Sequence, residues 1–114
     1  MLATDQEAAI STKPQPDCLV IIPTYNEREN AAAIIEAVLR QPHPMDVLIV
    51  DDGSPDGTAA IVREKMAVHL GRVHIIERSG KLGLGTAYLT GFEWALGHGY
   101  EYIFEMDADF SHNP

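Results

Sequence analysis

Residues 18–27 read CLVIIPTYNE, and the way this stretch divides decides the fold. Cys18 to Ile22 is a continuous apolar run, closed by Pro23. That pattern predicts a strand buried on both faces, as strands inside parallel sheets are. Asn26 then offers an N-cap, with Glu29 three residues on as its capping-box partner. Behind it Ile34, Ile35, Val38 and Leu39 fall on one helical face. A buried strand feeding an amphipathic helix is the first half of a βαβ unit.

The cycle recurs downstream. Val47 to Val50 predicts a second buried strand, ending in Asp51 and Asp52. Ser54, Asp56 and Thr58 are candidate caps for a helix striped by Ile61, Val62, Met66 and Leu70, with Gly71 as terminator. Val73 to Ile76 predicts a third strand. Leu84, Ala87, Tyr88, Gly91, Phe92, Ala95 and Leu96 form a third amphipathic stripe, closed by Gly97 and Gly99, and Tyr100 to Met106 predicts a fourth strand. Such alternation implies an α/β fold with a mainly parallel sheet and flanking helices. Residues 1–17 are polar, end in Pro14 and Pro16, and read as a mobile tail ahead of a folded unit at 18–114. Asn113-Pro114 would ordinarily open another helix, so the fold reads as truncated after its fourth strand.

Composition narrows the partners. Eight Lys and Arg stand against 17 Asp and Glu, a net −9, with no basic stripe, which opposes binding to nucleic acid. Cys18 is the single cysteine, so neither a disulfide framework nor a cysteine-based zinc site can form, and a reducing, cytoplasmic setting fits. No apolar run approaches the ~20 residues of a membrane span, and the amino terminus lacks the order of a signal peptide.

Ligands of parallel sheets bind beyond the carboxyl ends of the strands. Thr24, Tyr25, Asn26 and Glu27 follow the first predicted strand, Asp51 and Asp52 the second, Arg78, Ser79 and Lys81 the third, and Asp107 and Asp109 the fourth. The segments entering the strands carry no comparable cluster. One rim is therefore polar and acidic, which marks it as the site. Neither G-x-G-x-x-G nor G-x-x-x-x-G-K-[ST] is present, so a bound phosphate needs another source of positive charge. Asp107-x-Asp109 supplies one indirectly, because two carboxylates spaced by Ala108 can turn toward one Mg²⁺ or Mn²⁺ that bridges a diphosphate; a solvated acidic strand end is the other reading. One of Asp51 and Asp52 suits a ribose hydroxyl or a base N–H, whereas Asp56 suits a cap. Tyr25 and Glu27 beside that edge suit stacking on and hydrogen-bonding a base, against plain packing. Arg78 and Lys81 either meet a phosphate or balance neighbouring carboxylates.

At these residues the chain resembles family 2 inverting glycosyltransferases of the GT-A type, within them the polyprenol-phosphate (dolichol-phosphate) mannosyltransferases. The stretches that carry the likeness are VIIPTYNEREN (20–30), VLIVDDGSPDGTA (47–59), RSGKLGLGTAYLTGF (78–92) and EMDADFSHNP (105–114). The resemblance implies GDP-mannose as donor, a polyprenyl phosphate as acceptor and Mg²⁺ or Mn²⁺ as cofactor. It places Pro23, Tyr25, Glu27, Val50 and Asp52 around guanosine. Asp107, Ala108 and Asp109 fall at the metal and diphosphate, with Ser111, where some relatives carry Gln, as a further metal ligand. It also implies strand order 3-2-1-4 and work at the cytoplasmic face of a membrane, with a membrane-anchoring partner or a missing carboxy-terminal segment. Two crossover helices would then cover one face of the sheet and only the third the other, leaving apolar surface and an open fourth-strand edge. On that reading the 114 residues alone bind donor without useful transfer. A UDP-sugar donor, or a non-catalytic nucleotide-binding remnant, are the competing readings.

Overall fold

The computed structural model describes residues 16–80 and 82–108. Strands and helices alternate: β1 (Cys18–Thr24), α1 (Arg28–Leu39), β2 (Asp46–Asp51), α2 (Thr58–Val68), β3 (Val73–Glu77), α3 (Leu84–Gly97) and β4 (Tyr102–Glu105). All strand pairs are parallel and the order is β3-β2-β1-β4. The two central strands are the two continuous apolar runs, and both are buried along almost their whole length.

Strand alternation divides the core in two. Val20, Ile22, Val47 and Ile49 face α1 and α2, meeting Ala31, Ile34, Ile35, Val38 and Val62. Leu19, Ile21, Leu48 and Val50 face the other way, onto Ala87 and Ala95 of α3. One helix cannot cover a face that two helices cover opposite. Leu84, Leu89, Phe92 and Leu96 of α3 accordingly remain exposed. Tyr102 and Phe104 of the edge strand β4 are exposed on the other face, in register with Cys18 and Val20. Among the described residues β4 is bonded on one edge only, to β1.

The approach of α3 to β1 depends on one glycine. A Cβ placed on Gly91 would lie 2.7 Å from Ile21 Cγ2, and Ile21 is fully buried. Gly91→Ala is therefore expected to cost about 1–3 kcal/mol by overpacking, despite alanine's better helix propensity. Gly85, in the first turn of the same helix, has nothing within 4 Å of its would-be Cβ. Gly85→Ala should leave stability unchanged or raise it, and urea midpoints of the two variants check the contrast.

Four local expectations are corrected. Asn26 is not the cap of α1: it sits in the left-handed region at φ 57°, and Glu27 occupies the cap position without a side-chain bond. The Arg28 N–H donates instead to Asp56 Oδ2 (3.1 Å), and the Glu27 N–H to Thr58 Oγ1 (3.1 Å). A carboxylate from the loop after β2 thus does what the local capping box was expected to do. Asp56 also accepts the Thr58 N–H (3.0 Å), so one side chain serves the first turns of both helices. Hydrogen bonds, first that from the Thr58 hydroxyl, hold its carboxyl below the ordinary value.

Leu70 lies beyond the end of α2 and is exposed, so it leaves the expected stripe. Tyr100 precedes β4; its ring is buried and its hydroxyl donates to Asp46 Oδ2 (2.7 Å). The amino-terminal rim is also not bare of polar groups. Buried Asp46 accepts from Tyr100 and from Arg72 Nε (2.6 Å), and Arg72 Nη2 donates to the Met45 carbonyl (2.6 Å). These bonds are directed inward and tie the starts of three elements together, which is a structural role.

Candidate functional site

A cleft of about 310 Å³ opens at the carboxyl ends of the strands, where a parallel sheet is expected to bind ligand. Its walls come from four segments. Pro23 and Thr24 end β1, Tyr25 and Glu27 follow it, Asp52 follows β2, Gly83, Leu84 and Ala87 begin α3, and Asp107 and Ala108 follow β4. Six of the residues expected at a ligand therefore share one cleft: Pro23, Tyr25, Glu27, Asp52, Asp107 and Ala108. Val50 does not line it, because strand alternation turns its side chain into the core with Leu48 and Ile21. Lys81, Asp109 and Ser111 lie outside the described residues.

The two adjacent aspartates divide their work. Asp51 is buried; its carboxylate accepts the Thr24 hydroxyl (2.6 Å), the Ser54 N–H (3.0 Å) and the Ser54 hydroxyl (2.7 Å). The Ser54 oxygen in turn accepts the Asn26 N–H (2.8 Å). Asp51 thereby fixes the loops after β1 and β2 against each other. Asp52 is the one that reaches the cleft, and it reaches it as half of an ion pair. Arg78 Nε donates to Oδ1 (2.6 Å), Arg78 Nη2 to Oδ2 (3.0 Å), and the Leu82 N–H to Oδ2 (3.2 Å).

Arg78 thus balances a carboxylate, the second of the two roles open to it from sequence. It also spans the start of α3, donating to the Gly83 carbonyl (3.2 Å), Thr86 Oγ1 (3.1 Å) and Thr90 Oγ1 (3.4 Å). The segment after β3 can lie this close because Gly53 has φ +73° and no side chain. A Cβ there would stand 3.1 Å from the Arg78 carbonyl oxygen.

At the other end of the cleft the Tyr88 hydroxyl donates to Asp107 Oδ1 (3.2 Å). Burial first, and then the Asp107 charge, push the phenol up to about 12, so it stays a proton donor throughout the neutral range. Tyr88 was expected only in the apolar stripe of α3. An aromatic among Leu84, Ala87 and Gly91 reads as packing, and nothing local signals where its hydroxyl goes. Leu84 and Ala87 were likewise expected only as helix, and Gly83 only in a glycine-rich stretch whose spacing fits no phosphate loop.

The metal expectation bears on Asp107, the described member of the D-x-D pair. Among the described residues no three His, Cys, Asp or Glu side chains gather into a metal cage. Asp107 is a half-buried hard oxygen donor at the cleft wall. One or two such carboxylates, with phosphate oxygens and water completing the shell, is how Mg²⁺ is commonly held beside a nucleotide. The donor chemistry therefore fits a hard divalent ion.

A family model described as glycosyl transferase family 2 matches residues 19–114. The chain belongs to this family. It is 49% identical over 108 residues to a polyprenol monophosphomannose synthase of Mycolicibacterium smegmatis, covering 95% of this chain and 41% of the relative. It is 46% identical over 96 residues to an undecaprenyl-phosphate mannosyltransferase of Micrococcus luteus, covering 84% of this chain and 39% of the relative. The chain thus spans about two-fifths of the length of these family 2 relatives.

Among solved structures it resembles the mannosyltransferase PcManGT of Pyrobaculum calidifontis in complex with GDP-Man and Mn²⁺. There the TM-score is 0.64 at 28% identity over 68% of this chain and 24% of that one. S. aureus TarS in complex with UDP-GlcNAc gives 0.63 at 28% identity over 81% of this chain and 26% of that one. The parallel sheet with flanking helices is accordingly the GT-A architecture, as expected, over its amino-terminal part.

Proposed function

We propose that this family 2 chain is the donor-binding part of an inverting mannosyltransferase that moves mannose from GDP-mannose to a polyprenyl phosphate. The observation that carries the reading is the single cleft that gathers Tyr25, Glu27 and Asp52 at one set of strand ends and Asp107 with Ala108 at another. Such a cleft suits a ligand with an aromatic base at one end and a charged diphosphate at the other. Mannose is supported by the two relatives at 49% and 46% identity, both named for mannose and a polyprenyl carrier. Guanine is supported by the GDP-Man-bound neighbour.

In this reading Pro23, Tyr25 and Glu27 hold the nucleoside, and Asp52, oriented by Arg78, accepts from it. Asp107 and Asp109, with Ser111, hold Mg²⁺ or Mn²⁺, and Lys81 adds positive charge near the phosphates. A bound divalent ion supplies the Lewis acidity that offsets charge on a departing diphosphate. The acceptor phosphate is already an anionic nucleophile and needs no general base. Its oxygen attacks the anomeric carbon as the bond to the GDP oxygen breaks, and the configuration inverts.

No helix among the described residues is long and apolar enough to cross a membrane. In this reading the lipid acceptor is met by peripheral association at the cytoplasmic face of a membrane, through a partner or a further segment.

The competing reading, a UDP-sugar donor, is favoured by the TarS likeness at nearly the same TM-score. Calorimetric titration of GDP and UDP, each with and without Mn²⁺, separates the two. Trp94 stacks on His98 (3.8 Å between ring centroids) and beside Tyr100 rather than lining the cleft, so its emission is a poor reporter. GDP is expected to bind at least about tenfold more tightly than UDP, a difference of ~1.4 kcal/mol, and Mn²⁺ is expected to tighten it. A preference for UDP would move the assignment to the other donor, and indifference to both nucleotides would end it.

A further inference from the structure

We infer that Tyr88 is a positioning residue for the divalent ion, its hydroxyl fixing the orientation in which Asp107 meets the metal of the donor complex. The inference rests on the donor-site reading above and adds a residue to it. The Tyr88 hydroxyl donates to Asp107 Oδ1 across 3.2 Å, linking α3 to the segment after β4.

Both partners are built from the same point in the sheet. The Ile21 carbonyl accepts the Met106 N–H (3.0 Å), which sets the chain one residue before Asp107. The Ile21 side chain lies against Gly91, less than one turn past Tyr88, which sets how closely α3 approaches. The Tyr88 ring itself packs on the core formed by Leu19, Ile21, Ala87 and Ala95. The phenol is thus a rigid donor at a fixed height over the carboxylate, not a long side chain that happens to reach it.

A carboxylate bonded through one oxygen has its plane set before a metal arrives. Hydrogen bonds of this kind, from groups behind the ligands, are typically worth about 10–100-fold in metal affinity. Tyr88→Phe keeps the ring and its packing and removes only the donor. Tyr100→Phe is the matched control: it removes a buried phenol hydroxyl bonded to Asp46, in the rim opposite the cleft.

The test is Mn²⁺ binding to the chain in saturating GDP, read from the electron paramagnetic resonance signal of free Mn²⁺, with GDP affinity in the absence of metal measured alongside. Tyr88→Phe should bind Mn²⁺ about tenfold or more weakly, with metal-free GDP affinity unchanged. Tyr100→Phe should lower the thermal midpoint and leave Mn²⁺ affinity at the wild-type value. Equal Mn²⁺ affinity in wild type and Tyr88→Phe overturns the inference and leaves the donor-site reading standing. Equal weakening by both variants overturns it too, by showing a general loosening of the fold. A wild-type chain that binds neither Mn²⁺ nor GDP removes the donor-site reading and the inference together.

Discussion

Arg78→Met is expected to destabilise the chain by about 3–5 kcal/mol, the range for stranding one member of a buried ion pair. The Arg78 and Asp52 side chains are only 10% and 8% exposed, so neither charge is solvated by bulk water. Methionine preserves the apolar stem but withdraws both hydrogen bonds from the Asp52 carboxylate, which would keep only the Leu82 N–H. It also releases the Gly83 carbonyl and the hydroxyls of Thr86 and Thr90, and so loosens the first turns of α3, which form a wall of the cleft. Against a typical total of about 5–15 kcal/mol, the loss is a large share of stability. Urea unfolding at neutral pH measures it. Arg78→Met combined with Asp52→Asn should be more stable than Arg78→Met alone, because the stranded charge is gone. A cost below about 1 kcal/mol, the size of an exposed pair, would mean that Arg78 does not close this end of the cleft.

The second large effect falls on binding. Asp107→Asn is expected to abolish the Mn²⁺-dependent gain in GDP affinity, a loss of at least about 100-fold. Removing a ligand should cost no less than removing the groups that orient one. Asparagine keeps the shape of the side chain and an oxygen able to accept from Tyr88, so the fold should survive. What disappears is the negative charge at the cleft wall. Calorimetry with and without Mn²⁺ reads the difference, and Asp109→Asn should behave the same way. An unaltered response to Mn²⁺ in both variants would remove the metal from the account.

The parts of this molecule that could be read in the sequence are those governed by neighbours along the chain. Cys18–Ile22 and Val47–Val50 are apolar at every position, too short for a helix and rich in β-branched residues, so two strands buried on both faces could be read directly. The stripe Ala87–Gly91–Ala95 likewise placed α3, and the strand ends placed the cleft. What could not be read depends on partners far along the chain. Asn26 and Glu29 have capping-box spacing, but Asp56, brought in from the loop after β2, takes the Arg28 N–H instead.

Arg78 and Asp52 are separated by 26 residues, and no local pattern distinguishes an arginine that holds a carboxylate from one that waits for a phosphate. Val50 was expected at guanosine through the family resemblance alone. Strand alternation nonetheless points it with Leu48 into the α3-side core. Tyr88 was hidden for the opposite reason: its ring fits an apolar stripe so well that the hydroxyl's destination, Asp107, carries no signal of its own.

The central claim is that the acidic end beyond β4 and the pocket of Tyr25 and Asp52 make one site for a metal-bound nucleoside diphosphate. Paramagnetic broadening of backbone amide signals by Mn²⁺, in a sample saturated with GDP, tests it most directly. The account predicts that the amides of Asp107, Ala108 and Leu84 broaden first, and that Tyr25 and Asp52 shift on adding GDP. The amides of Asp46, Arg72 and Tyr100 at the opposite rim should stay sharp. Broadening centred on that opposite rim, or a GDP response that leaves Tyr25 and Asp52 unmoved, would contradict it.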